Sequence, residues 1–86
     1  MKIKAYLRFR KAYQDLPENL QKKVDKQLRL LLRDFNHPSL QTKKIKGTKG
    51  IWEARVDHSH RFTFEIADET LFLRVVGNHD EVLKKP

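Results

Sequence analysis

The hydrophobic period changes once along this chain, and that change constrains the fold more than any other feature. From residue 17 to 35 the apolar residues Leu20, Val24, Leu28, Leu31 and Phe35 recur at intervals of three and four, one face of an amphipathic helix. From Trp52 onward the interval becomes two. Trp52, Ala54 and Val56 alternate with Glu53, Arg55 and Asp57. Phe62, Phe64 and Ile66 alternate with Arg61, Thr63 and Glu65, and Leu71, Leu73 and Val75 alternate with Phe72, Arg74 and Val76. Turns are expected at His58–Ser59 and at Ala67–Asp68–Glu69, so these runs read as an antiparallel meander with one apolar face. Helices that precede a sheet in sequence pack on one of its faces, which gives an α+β two-layer domain.

The segments around this frame are read in the same way. Met1–Phe9 alternates loosely, with Ile3, Ala5, Leu7 and Phe9 on one side, and is expected to be an opening strand. Lys11–Leu16 is expected to be a short helix. Pro17 suits the start of the next, where its missing N–H costs nothing. That second helix should end near Phe35, because the residue before Pro38 is pushed out of the helical region. On its exposed side Glu18–Lys22 and Asp25–Arg29 stand as i,i+4 pairs. A polar loop runs through Gly47 and Gly50, and Gly77–Asn78 closes the last strand. Residues 79–85 carry too short a pattern to assign, and no segment is expected to cover the second sheet face.

Size and composition narrow the classes. Eighty-six residues make one domain spanning 1–86, which buries only roughly 60% of the surface its unfolded chain exposes. There is no Cys, so disulfides, thiol catalysis and Cys-based zinc sites are excluded. No apolar run approaches a membrane span and no signal-peptide core is present, so a cytoplasmic protein without membrane contact is expected. The net charge of +8 favours polyanionic or acidic partners. It is unevenly spread. Residues 1–49 hold 14 Lys and Arg against 4 acids, and residues 50–86 hold 5 against 7. The densest basic stretch is Lys43, Lys44, Lys46 and Lys49, a phosphate-contacting edge or a solvated loop.

The period of two places Glu53, Arg55, Arg61, Thr63, Glu65 and Arg74 on the sheet face away from the helices. Such a group forms either ordinary cross-strand ion pairs or a phosphate-binding surface, for which the planar, always-charged Arg fork is suited. His37 reads as a loop residue, and His58 and His60 as a turn pair with no third metal ligand in view. His79, at the end of the last strand and before Asp80 and Glu81, is either a general acid or base or a structural residue. No P-loop, nucleophile elbow or zinc-protease helix occurs.

The ordered set "FRKAYQDLPENLQKKV", "NHPSLQTKKIKGTKGIWEARV", "HRFTFEI" and "LFLRVVGNHDEVL" resembles the RelE/ParE superfamily of bacterial toxins over nearly the whole chain. The resemblance implies the toxin of a type II toxin–antitoxin pair. Its RelE branch cuts mRNA in the ribosomal A site, by attack of the 2′-OH on the adjacent phosphate without a metal or other cofactor. Carried over by position, Arg61 matches the family's phosphate-binding arginine and Arg55 a basic residue on the preceding strand. Lys46 matches the basic position before the loop glycine, and His79 the basic or His position after the final "VG". The implied catalytic set is His79, Arg61, Arg55 and Glu53, with Lys43, Lys44, Lys46, Lys49 and Arg74 meeting RNA or the ribosome. Two positions depart. Glu53 stands where some members have lysine, although a carboxylate serves as base in others, and Leu83 stands where many have a catalytic tyrosine. Three readings therefore stand open: a ribosome-dependent endoribonuclease, a ParE-type gyrase inhibitor, and a degenerate RNA-binding module. The implied partners are the ribosome with mRNA and an antitoxin whose acidic, partly disordered segment folds on the basic surface.

Overall fold

The computed structural model describes residues 1–86. Strand β1 (Lys2–Ala5) leads into helices α1 (Leu7–Gln14) and α2 (Glu18–Arg33), and a single 3-10 turn (Pro38–Leu40) follows. Strands β2 (Lys43–Lys44), β3 (Trp52–Arg55), β4 (His60–Ala67) and β5 (Thr70–Asn78) come next, then helix α3 (His79–Lys84). The strands form one sheet in the order β1-β5-β4-β3-β2. The α+β expectation holds, with α1 and α2 on one sheet face.

The β3–β4–β5 meander is antiparallel as expected, but the sheet as a whole is mixed and not antiparallel throughout. β1 pairs with β5 in parallel, Ile3 beside Leu71 and Ala5 beside Leu73. Parallel neighbours need a long connection, and here the helices and the meander together supply it. The opening strand is also shorter than its alternation suggested. Tyr6 still donates its N–H to the Leu73 carbonyl (2.9 Å), and the chain then turns helical. Leu7 is consequently exposed while Phe9 is buried. Phe9, Ala12, Tyr13 and Leu16 all meet the core, and their i, i+3, i+4, i+7 spacing marks α1 as a helix.

α2 buries Val24, Gln27 and Leu31. It stops at Arg33, and Phe35 enters the core from beyond its end, edge-on to Trp52 at 5.2 Å and to Phe64 at 6.0 Å. The Glu18–Lys22 pair forms at 3.5 Å. The expected Asp25–Arg29 pair does not, because Asp25 accepts a hydrogen bond from the Tyr13 hydroxyl (2.7 Å) and so ties α2 to α1. That bond first, then burial and the Asp25 charge, hold the Tyr13 phenol above its ordinary pKa.

A bulge changes the faces of β5. Thr63 lies opposite Val75 and Phe64 opposite Leu73, so Arg74 is the extra residue. Beyond it the alternation is shifted by one. Val76, expected to face outward, is 3% exposed in the core, and Val75 belongs to the other face. That second face is not open. α3 lies across β4 and β5, with Val82 buried and packed over Gly77. A main-chain oxygen of Pro86 then accepts hydrogen bonds from Thr63 Oγ1 (2.8 Å) and Arg74 Nε (3.1 Å). Part of the expected Lys loop is likewise a strand, with Lys43 opposite Glu53 and Lys44 opposite Trp52. The loop after it turns through Gly47 and Gly50, both in the left-handed region that favours glycine (φ 81° and 82°).

Candidate active site

The turn between β3 and β4 is organised by Asp57. Its carboxylate accepts hydrogen bonds from the Ser59 and His60 N–H groups and from His60 Nδ1, each at 2.9 Å. Lys23 on α2 approaches its other oxygen at 3.5 Å. Partial burial pushes the Asp57 pKa up, but the His60 ring, the two N–H donors and the His60 charge outweigh it and lower the value to about 2. The sequence produces this locally, because Asp bonds readily to the backbone two residues on.

That turn aims Arg61. Arg61 Nη1 donates to the carbonyls of Asp57 (2.6 Å) and His60 (2.9 Å). The Nε–Nη2 edge of the same guanidinium makes no hydrogen bond to the protein, and this edge can take a phosphate bidentately. Across the ladder, Arg55 stands directly opposite Arg61. Like charges in that position oppose each other, and no acid pairs with either.

His79 arrives from the other side. Asn78 caps α3, its side chain accepting from the Asp80 N–H (3.0 Å), so His79 is the first helical residue. Its N–H donates to the Ser59 carbonyl (2.8 Å), which fixes the β5–α3 junction against the β3–β4 turn. The ring is 41% exposed, with Asp80 Oδ1 at 3.4 Å from Nδ1. Arg61 and His79 thus line one depression of about 310 Å³ together with His58, Ser59, Asn78 and Asp80.

Other expected residues lie elsewhere. Lys43, Lys44, Lys46 and Glu53 line a second cavity of about 310 Å³, walled by Ile45 and Leu83. Its Leu83 and the first depression's His79 are four residues apart on α3, one above the other on the helix. Arg55 lines a cleft beside α2 with Lys23, Lys26, Gln27, Ser39, Val56, Asp57 and His58, and His58 is shared with the Arg61–His79 depression. Lys49 is exposed on the loop beyond β2 and lines neither cavity. Arg74 is drawn away from the group altogether. It pairs with Glu65, donates to Pro86 and lies over the Tyr6 ring at 5.7 Å. His60 is held by Asp57, and no three His, Asp or Glu side chains converge as a metal cluster.

Ser59 and Asn78 are read from the sequence only as a turn and a strand end, and Asp57 only as an alternating strand residue, none of them as part of a site. The signals existed: Asp57-x-Ser59 for the turn, and Asn78 three residues before Glu81 as a capping pattern.

No family model matches the sequence, and no curated protein is significantly similar to it. Solved structures are similar in fold. A YoeB/ParE toxin from Agrobacterium tumefaciens superposes with TM-score 0.79 at 21% identity, over 92% of this chain and 99% of that one. YafQ from E. coli gives 0.79 at 15% identity, covering 93% and 94%. The toxin–antitoxin complex of RelB and RelE from Methanococcus jannaschii gives 0.74 at 19%, covering 95% and 98%. With the helical pair on one sheet face, β1 parallel to β5 and α3 across the other face, this chain has the fold of the RelE/ParE-type toxins.

Proposed function

We propose that the chain is the toxin of a type II toxin–antitoxin pair and acts as a ribosome-dependent mRNA endonuclease. The observation that carries this reading is the free Nε–Nη2 edge of Arg61 in one depression with the half-exposed His79 ring. A scissile phosphate on that edge receives charge stabilisation as the phosphorane forms, and Arg55, opposite Arg61 on the ladder but lining the neighbouring cleft, adds positive potential beside the depression. The attacking 2′-OH gives up its proton, its oxygen bonds to phosphorus, and the bond to the 5′ oxygen breaks with that oxygen taking a proton. The products are a 2′,3′-cyclic phosphate and a 5′-OH. His79 transfers one of these protons, since an imidazole ring nitrogen can both donate and accept one. Lys43, Lys44, Lys46 and Lys49 supply electrostatic contacts to flanking or ribosomal RNA. An antitoxin-type partner is proposed on the same fold likeness, since a RelB–RelE complex is among the similar structures. No helix is long and apolar enough to cross a membrane; action in the cytoplasm is part of the same proposal.

The test is the mapping of 5′ ends on translated mRNA after induction, with a His79→Ala control. In-frame cuts bearing 5′-OH ends, lost in the variant, are expected. An arrest of DNA replication ahead of protein synthesis would instead select the gyrase-inhibitor reading, and harmless expression the degenerate one.

A further inference from the structure

The cavity between β2, β3 and α3 holds a side chain that neither packing nor proton transfer at His79 explains. Glu53 is only 5% exposed, yet its carboxylate makes no hydrogen bond and no ion pair, although Lys43 stands directly opposite it. No side-chain oxygen of the chain is both fully shielded and unpartnered, so the Glu53 oxygens open onto the cavity they line. A carboxylate largely stripped of water and given no donor is costly to keep. The position therefore suits a donor that comes from outside the chain.

The surroundings say what kind. A metal ion would meet the two lysines that reach the rim, Lys43 and Lys46, while Lys44, opposite Trp52, turns its ammonium to the Trp52 ring at 5.4 Å. A bare phosphate would meet the Glu53 charge. A flat ring between Ile45 and Leu83, with N–H groups inward and phosphates at the rim, satisfies every wall. That is a nucleotide, and unstacked RNA bases are read in this way along their Watson–Crick edges. Uracil offers one N–H between two carbonyls. Adenine and cytosine offer an amino group beside an acceptor nitrogen. Guanine alone sets N1–H and N2–H₂ side by side, one donor for each carboxylate oxygen. We infer that this cavity is a guanine-reading subsite and that Glu53 is its specificity-determining residue. The inference rests on the ribonuclease reading, with the subsite one helical turn along α3 from His79.

The test has a binding arm and a cutting arm. In the first, the full chain and its Glu53→Gln variant are titrated with GMP, CMP, AMP and UMP, following the backbone amide signals of Ile45, Glu53 and Leu83. GMP should bind at least about tenfold more tightly than UMP, the scale of one good bidentate base contact. E53Q should lose most of that preference while keeping its melting temperature. A second variant, Ile45→Trp, fills the cavity and should weaken all four nucleotides. Equal affinities in the parent, or a guanine preference that survives in E53Q, overturns the inference. In the second arm, cuts by the parent should fall at a fixed offset from guanine, and those of E53Q should spread to other bases. Loss of cutting at every site in E53Q with nucleotide preference unchanged makes Glu53 a proton-transfer group and also overturns it. A parent that cuts nothing but still prefers GMP refutes the ribonuclease reading and leaves the subsite standing.

Discussion

Arg61 is a residue whose geometry is set by its neighbours' backbone. Two carbonyls fix Nη1, so the charge alone is not what the position supplies. Arg61→Lys should keep the charge, lose the fork, and cut ribosome-bound mRNA more slowly than the parent. Arg61→Ala should fall further, by about 10²-fold or more, on the scale of a lost anion-hole donor. Primer extension on the same message, with a thermal melt to verify folding, reads both. Asp57 holds the turn that supplies those carbonyls. Its pKa is about 2 in the fold against 3.8 ordinarily. A carboxyl lowered on folding stabilises above its unfolded value, and that stability is lost as pH falls through the folded one. The parent should therefore lose about 2 kcal/mol between roughly pH 4 and pH 2 from this group. Asp57→Asn, which still accepts the N–H bonds, should show no such loss in denaturant titrations across that range.

At the scale of elements, the β4–β5 hairpin and α3 are the informative pieces. The hairpin turns through Asp68 and Glu69, both left-handed with φ of 50° and 60°. Asp tolerates this conformation, while Glu pays the side-chain clash that glycine escapes. Glu69→Gly should raise stability by about 1 kcal/mol, which is roughly 4–8 °C in Tm for a domain of this size. α3 covers the second sheet face through one buried side chain, Val82. Val82→Ala should cost about 1–3 kcal/mol and loosen the junction at which His79 meets Ser59. Hydrogen exchange at the His79 amide, whose partner is the Ser59 carbonyl, should quicken more than at core amides of β4. The bulge at Arg74 belongs to this scale as well. By adding one residue it brings Arg74 and Val75 to the same face, and Glu65 and the Pro86 oxygen then occupy the guanidinium.

For the whole molecule, charge and fold divide the work. The basic excess lies in residues 1–49, on β1, the helices and the Lys loop, while the meander that holds Arg55, Arg61 and Glu53 is slightly acidic in sum. Under the proposed function, long-range attraction comes from one half of the chain and the arrangement around a phosphate from the other. RNA affinity should fall steeply with salt, by a log–log slope of roughly 0.7 per phosphate neutralised on a single strand. Lys46→Ala should lower that slope by about one such unit without changing which sites are cut. Binding isotherms at several salt concentrations measure the first effect, and 5′-end maps the second.

What the amino-acid order determined alone was what depends on near neighbours. The helical stripe of α2, the alternation of β3 and β4, and the turn at His58–Ser59 follow from spacing and from local hydrogen bonds. The resemblance carried by "HRFTFEI" and "VGNHDEVL" pointed to Arg61 and His79 from short ordered strings, and it is the fold that brings the two to one depression. The tertiary structure alone decided the rest. The parallel pairing of β1 with β5 joins residues almost seventy positions apart, as Ile3 and Leu71 are. The covering of the second face depends on Val82 meeting Gly77, and the occupation of Arg74 on a bulge that no alternation announces. Glu53 is the clearest case. As one polar residue in an alternating strand it reads as exposed, and it becomes a buried, unpartnered carboxylate only when β2 and α3 close around it. Burial and partnership belong to distant segments brought together in space, and a local pattern carries no record of them.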